Sequence, residues 1–565
     1  MRRNLPSGQG LRVSRALRVW IVLMVACFCW THNVHADDDS TPISVNPTFA
    51  NGLAGWQTAG DVRLQNSTVD PARQEVVIGP GAGSISQRIT ANAVNPMLIA
   101  ATLHSAPAER ATLVVRCLDQ EGHELMTLRS PDDIKPGKEP GTLEDYFRPH
   151  PLTASVEIAI EKEGGPGVVT IGRLELSVYH DDDPALQSTQ NVADLMRPFW
   201  KGSLVSDEAV LLTSRNGERA SGTLLFRPTR IVSVTSYDGA TTYREGTDYT
   251  TQGRTLVAGA HSTISQIRES DLLRGDLAWN VIGGKQVLVT YEHDDAWTGP
   301  VQPDVSAELP NTLRMLRARG PLRIVAYGDS ITYGLGSSHM RKIRPYQPPW
   351  VDLFIGQLRR DWNDPGIALY NASQSGADST WASKMAERMV ATLDPDLVVI
   401  AFGQNDFWSI SADAFADNLT AVMRAVREKN PQAEFLLVST MRFDPAYSTN
   451  AGYWKTVTEY QTRLHAMVGP GVQLVDMTAI SGAVFAAKEP RDCLNDPLHP
   501  NDYLSRWYAQ SLLAALAPAD EKPSAAPEEA HPSKKKGAGD DDPGAPQATH
   551  ELTPVGQAWS AVHQP

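Results

Sequence analysis

Hydrophobic and polar positions along the chain fall into three successive regimes. From residue 41 to about 182 the apolar positions form short runs rich in β-branched residues. "EVVIGPGAGSISQRI", "ATLVVRCLD", "ASVEIAIEK" and "VVTIGRLELSVY" are separated by Gly, Pro and Asp, and that spacing predicts a β-sandwich. After a polar linker, "HDDDPALQSTQ", a second β-rich domain, again expected to be a β-sandwich, covers 196–305, from runs such as "EAVLLTS", "SGTLLF", "RIVSVTSY" and "KQVLVTYEH". From 320 to 518 the period changes. Apolar runs ("LRIVAYG", "IALYN", "DLVVIAFG", "EFLLVST", "VQLVD") alternate with amphipathic stretches such as "WVDLFIGQLRRDW", "STWASKMAERMVATL" and "ADAFADNLTAVMRAVREKN". Alternation of this kind predicts a parallel sheet covered by helices on both faces, an α/β three-layer domain closed by the helix "DYLSRWYAQSLLAALA". Residues 519–565 are rich in Pro, Ala and charge and are expected to be a disordered tail, with Lys534 to Lys536 solvated in it.

The N-terminus adds a second kind of signal. Five arginines (Arg2, Arg3, Arg12, Arg15, Arg18) precede the apolar segment "VWIVLMVACFCW", and Val34-His35-Ala36 offers a small-residue cleavage site. Residues 1–36 therefore read as a cleaved signal peptide, and the protein as secreted or periplasmic. Lipoprotein anchoring at Cys27 is a minor alternative. No stable membrane span is expected. Removing those residues leaves 46 basic against 65 acidic side chains, a net charge near −19 where the full chain has −14. An acidic surface of that size argues against a nucleic-acid partner, because such binding relies on neutralising phosphates. Two cysteines remain, Cys117 and Cys493, in different expected domains, and two buried thiols is the simpler expectation over a bridge.

Candidate chemistry collects at one edge of the expected sheet. Ligands of an open parallel sheet bind beyond the carboxyl ends of its strands. Gly328-Asp329-Ser330 follows the first strand, "NASQSG" ending at Gly376 the second, "GQND" with Asn405 the third, and "NDPLHP" with Asp496 and His499 the fifth. These residue types are complementary. A serine hydroxyl attacking an ester needs a base, and His499 has an imidazole near neutrality. The imidazole needs a carboxylate on its other nitrogen, and Asp496 stands three residues earlier, with Asp492 a second choice. The tetrahedral intermediate needs donors aimed at its oxyanion; the Gly376 N–H, the Asn405 amide and the Ser330 N–H suit that purpose. The chain has no Gly-x-Ser-x-Gly elbow, no His-Glu-x-x-His and no phosphate-binding Gly-x-x-x-x-Gly-Lys. No metal or cofactor is expected.

This order of motifs (Gly-Asp-Ser, Asn-Ala-Ser-x-Ser-Gly, Gly-x-Asn-Asp, Asp-x-x-His-Pro) resembles that of the SGNH (GDSL) hydrolase superfamily over residues 320–518. The resemblance implies a flavodoxin-like parallel sheet and a carboxylic ester hydrolase. It further implies Ser330 as nucleophile, His499 as general base, Asp496 as its orienting carboxylate, and Gly376 with Asn405 as the oxyanion hole. Ser373 stands where many members have a glycine. The opening of the 41–182 region, Asn-x-x-Phe followed by Gly-Leu-x-Gly-Trp, resembles jelly-roll carbohydrate-binding modules, and residues 230–250 resemble the small β-domains preceding the catalytic domain of some bacterial esterases. Trp56 in that opening is expected in the core rather than on a sugar; Tyr146 and Tyr179 are candidate sugar contacts. Together these features imply removal of O-acetyl groups from a polysaccharide. A lipase or short-chain esterase is the alternative. A non-catalytic carbohydrate-binding protein and an acetyltransferase stand behind it.

Overall fold

The computed structural model describes residues 40–516 apart from 68–69, 92–96, 106–110, 130–140, 180–187, 273–281, 342 and 445–450. The expected signal peptide, Cys27 and the 519–565 tail lie outside the described residues, as do the side chains of Tyr146 and Tyr179. The chain divides into two compact units, Met1–Asp181 and Asp182–Pro565.

The first unit is built from two antiparallel sheets. One has the strand order Val62–Asn66, Gln74–Ile78, Val169–Tyr179, Met97–Ser105, Gly141–Phe147, with Ser40–Pro42 added to Val169–Tyr179; the other runs Gln57–Ala59, Gly83–Thr90, Ser155–Lys162, Ala111–Leu118, Glu124–Arg129. Ile85 and Leu174 are fully buried between polar neighbours, the alternation of a half-solvated sheet, while Val76 and Val114 lie in strands buried along nearly their whole length. The Asn-x-x-Phe…Trp opening is a clasp. Asn46 accepts from the Asn51 N–H and donates to the Gly52 carbonyl, while the Trp56 indole donates to the Asn46 carbonyl at 3.1 Å. Trp56 is buried and its ring lies 5.4 Å from that of Phe49, so it is a core residue.

In the second unit the β-rich region and the α/β region share one core. Residues of the β region (Val210, Val234, Leu256, Val289) and of the α/β region (Leu316, Phe354, Val399, Leu512) belong to a single buried cluster. The β region contributes a three-stranded antiparallel sheet, Leu204–Val210, Val287–His293, Pro228–Ser236, and a second sheet of short strands. The α/β sheet is wholly parallel, in the order Ala368–Asn371, Arg323–Gly328, Leu397–Ala401, Glu434–Val438, Val472–Val475. This is the flavodoxin-like 2-1-3-4-5 arrangement, whose crossovers reverse direction beside the first strand. Every one of these strands except for its ends is buried, as near-continuous apolar runs demand of a doubly covered sheet.

Helix Asp502–Leu516 joins the two regions. Its Trp507 ring packs 5.2 Å from Phe199 and 5.3 Å from Trp297, and its Tyr508 stacks 5.7 Å from Trp350 of the helix Trp350–Trp362. Arg506 and Gln510 are polar positions in the helix expected to close the domain. Both are buried, because the β region covers them: Arg506 donates to the Ser206 and Asp207 carbonyls, and Gln510 to those of Leu195 and Arg197. Cys117 and Cys493 are buried free thiols.

Candidate active site

The first strand, Arg323–Gly328, ends where a side chain has no room: a Cβ on Gly328 would lie 2.6 Å from the Ala401 carbonyl of the neighbouring strand. Asp329 then turns the chain, and its carboxylate accepts from the Ile331 N–H at 3.0 Å, capping the short helix Ser330–Tyr333. Ser330 opens this helix at the carboxyl edge of the sheet and is 6% exposed.

His499 and Asp496 face each other across a tiny hairpin, Leu494–Asp496 with His499–Pro500. Asp496 Oδ1 accepts from the backbone N–H groups of Leu498 and His499, at 2.9 and 2.8 Å, so the carboxylate is fixed by its own loop. Its Oδ2 lies 2.8 Å from His499 Nδ1, and His499 Nε2 lies 2.9 Å from Ser330 Oγ. A carboxylate only accepts, so the imidazole proton sits on Nδ1 and Nε2 is left to accept from the serine hydroxyl. Burial pulls the His499 pKa down, but the charge and hydrogen bond of Asp496, with the charge of Asp329, outweigh it and the pKa is raised. Asp492 is not near this pair in its contacts. It accepts from the Leu211 N–H at 2.6 Å beside Lys488, which removes it as a second orienting acid.

The second and third motifs are held against this group by side chains the motif reading passed over. Asn371 donates to the Thr332 carbonyl at 2.8 Å, and the Gln374 N–H donates to the Gly328 carbonyl at 3.0 Å, tying the "NASQSG" turn to the serine. Ser373 donates its N–H to Asn371 Oδ1, so the position needs a backbone donor and tolerates a side chain. Gly376 has φ of 77°, a conformation glycine adopts without strain, and it is exposed. Asn405 Nδ2 donates to the carbonyl of Ala377, the next residue, at 2.9 Å, which brings the two expected donors side by side and leaves the second amide hydrogen for another acceptor. Gln404 reaches the Leu498 carbonyl at 3.3 Å, linking the third motif to the His499 loop. Beneath them two carboxyls are buried: burial raises Asp329 to about 6 and Asp406 to about 7.

Among the described residues, one grouping has ligand atoms within 4.8 Å of one another, Asp119, Glu121 and His123 in the first unit; two of the three are exposed. No described helix is long and apolar enough to cross a membrane.

With serine, imidazole, carboxylate and flanking donors placed in this order, the comparison with known families can be stated. The GDSL-like lipase/acylhydrolase family model matches residues 326–506. Residues 326–506 are a GDSL-like lipase/acylhydrolase domain. The match supports carboxylic ester hydrolysis as the chemistry of residues 326–506. No curated protein matches the chain. Among solved structures it is similar to a GDSL-like lipase from Parabacteroides merdae (19% identity, 35% of this chain and 95% of that one, TM-score 0.30). It is also similar to TmCBM61, solved with β-1,4-galactotriose (15% identity, 24% and 98%, TM-score 0.20). A third is the bacteriophage CBA120 tailspike protein 4 (15% identity, 24% of this chain, TM-score 0.22), of which the chain spans 21%.

Proposed function

We propose that the protein is an exported serine esterase that removes O-acetyl groups from a polysaccharide through an acyl-enzyme on Ser330. The observation that carries the chemistry is the unbroken line from Asp496 through His499 to Ser330, with contacts of 2.8 and 2.9 Å. In this reading His499 Nε2 takes the Ser330 proton as Oγ attacks the ester carbonyl carbon. The carbonyl oxygen becomes an oxyanion facing the Gly376 N–H and the Asn405 amide. Collapse breaks the bond to the sugar oxygen, which leaves with the proton from His499. Water, deprotonated by the same imidazole, then releases acetate and restores Ser330. Asp496 holds the imidazole in the Nδ1–H form and stabilises its cation throughout.

The substrate assignment rests on architecture: an N-terminal segment with the pattern of an export signal, and a β-sandwich whose opening resembles a carbohydrate-binding module. Export to the periplasm or medium belongs to the same proposal. The test is acetate release from a panel of acetylated polysaccharides, alongside synthetic esters with two- and eight-carbon acyl groups, with Ser330→Ala as control. Acetate release with little turnover of the long ester, lost in Ser330→Ala, is the expected result. Preference for the long ester would place the enzyme with lipases, and activity surviving in Ser330→Ala would overturn the mechanism.

A further inference from the structure

The loop that carries Asp496 and His499 is gripped from outside the GDSL-like domain. Gln286, just before the strand Val287–His293 of the β-rich region, is buried and uses both ends of its amide on this loop. Its Nε2 donates to the carbonyls of Arg491 at 2.6 Å and Leu494 at 2.9 Å; its Oε1 accepts from Asn501 Nδ2 at 3.0 Å. Asn501 in turn donates to the Asp492 carbonyl at 2.8 Å and receives the Leu504 N–H, which fixes the start of the following helix. One side chain thus ties residues 491, 494 and 501, on both flanks of the hairpin in which Asp496 pairs with His499. Upstream, the buried Lys488 ammonium donates to Glu208 at 2.5 Å and to the Ala209 carbonyl at 2.7 Å, and Asp492 accepts from Leu211. Glu208 is itself held by Tyr291 and the Leu225 N–H.

We infer that Gln286 is a positioning residue for the Asp496–His499 pair, and that the β-rich region is in this way a working part of the active site. The inference rests on the proposed role of His499. A two-residue hairpin has little stability of its own, since so short a pairing does not repay the chain entropy of closing it. The sub-ångström alignment that proton transfer needs must come from supporting contacts. Gln286 supplies three, two of them fully buried, and no charge that would perturb the imidazole. Asp496 and Asp329 are the charged groups that raise the His499 pKa, and Gln286→Met changes neither residue, so a shift in that pKa reports how closely Asp496 is held to the imidazole.

The test compares Gln286→Met, which keeps the shape and removes every hydrogen bond, with wild type, Ser330→Ala and the exposed control Arg230→Ala, using a soluble acetyl ester. The expected result is a ten- to hundredfold fall in kcat with KM within about twofold, and no change in Arg230→Ala. In parallel, the His499 imidazole is titrated by NMR in selectively labelled protein, assigned by difference with His499→Gln. A looser Asp496–His499 pair gives a lower His499 pKa in Gln286→Met, and this readout does not depend on any substrate. Absence of Ser330-dependent hydrolysis in wild type would sink the proposed function but leave the titration to decide the positioning role. Wild-type kcat together with an unmoved His499 pKa would overturn that role. Should Gln286→Met not fold, Gln286→Asn, whose amide reaches one flank only, is read the same way; failure of both to fold would assign Gln286 to stability and overturn the inference.

Discussion

The side chains proposed for catalysis are held in different ways, and the consequences of replacing one differ accordingly. Asp496 accepts two N–H groups of its own loop besides His499, so Asp496→Asn should keep the fold and lose catalysis, with kcat down on the order of 10³–10⁴ as the imidazole loses its tautomer and partner. The pH dependence has a definite sign. The base works only when neutral, and its pKa is raised, so kcat/KM should fall as pH drops through a value above 6.5. In Asp496→Asn that acid limb should move downward, which a pH profile of the residual activity would reveal. Asn405→Ala removes an oxyanion donor and should cost about 10²–10³ in kcat with KM little altered. Asp406 gives a stability prediction. Its folded pKa of about 7 lies above the ordinary 3.8, so the folded state holds a proton that the unfolded chain has lost between those values. Stability from this group is therefore present at pH 4 and lost as pH rises through 7. Asp406→Asn should raise the melting temperature at pH 8, by a stabilisation on the order of a few kcal/mol, and leave it nearly unchanged at pH 4. These residues were legible to different degrees. Ser330, Gly376, Asn405, Asp496 and His499 announce themselves by type and by following successive strands. Gln404, Asn371 and Gln286 do not, because a buried amide is recognisable only by the carbonyls it meets, and those lie up to 208 residues away.

At the scale of elements, the strands of the parallel sheet are readable because burial on both faces leaves them few polar positions, Glu434 and Gln473 being buried exceptions. The helix Ala451–Met467 escaped the same reading. Its apolar stripe is weak, and its threonines, poor helix formers, are accommodated by donating to carbonyls four residues earlier: Thr456 to Gly452, Thr458 to Trp454, Thr462 to Thr458. Helix Met477–Ala487 is masked in another way, being almost uniformly small and apolar; Asp476 caps it by accepting from Ala479. The helix expected to close the domain is found at Asp502–Leu516 with its polar Arg506 and Gln510 buried, since no period can tell water from a covering sheet. Arg506→Ala should therefore destabilise the unit by about 1–3 kcal/mol, leaving the half-buried Ser206 and Asp207 carbonyls without these donors, and urea unfolding would measure it.

For the whole molecule, the sequence suggests separate regions at 196–305 and 320–518, whereas the structure gives them one core. Composition changes at 320 because the type of sheet changes, and a change of sheet type is not a boundary of stability. A protein cut to residues 182–565 should fold and hydrolyse small soluble esters with a Ser330-dependent rate like that of the full chain. One cut to 320–565 should expose the apolar face left by Leu225, Val289 and Tyr291 and be recovered insoluble or inactive. Expression trials of the two truncations, assayed on a two-carbon ester, separate these outcomes.

The placement of helix Asp502–Leu516 also has a meaning in time. A chain is synthesised from its N-terminus, and domains with their own cores fold as they emerge. Here Ser330 is made 169 residues before its imidazole, and the helix that fills the gap between the β region and the sheet comes later still. Until residue 516 has been polymerised, more than three hundred preceding residues lack the piece that seals their interior. The second unit thus stays open on the ribosome, and its serine unactivated, until that last helix has emerged.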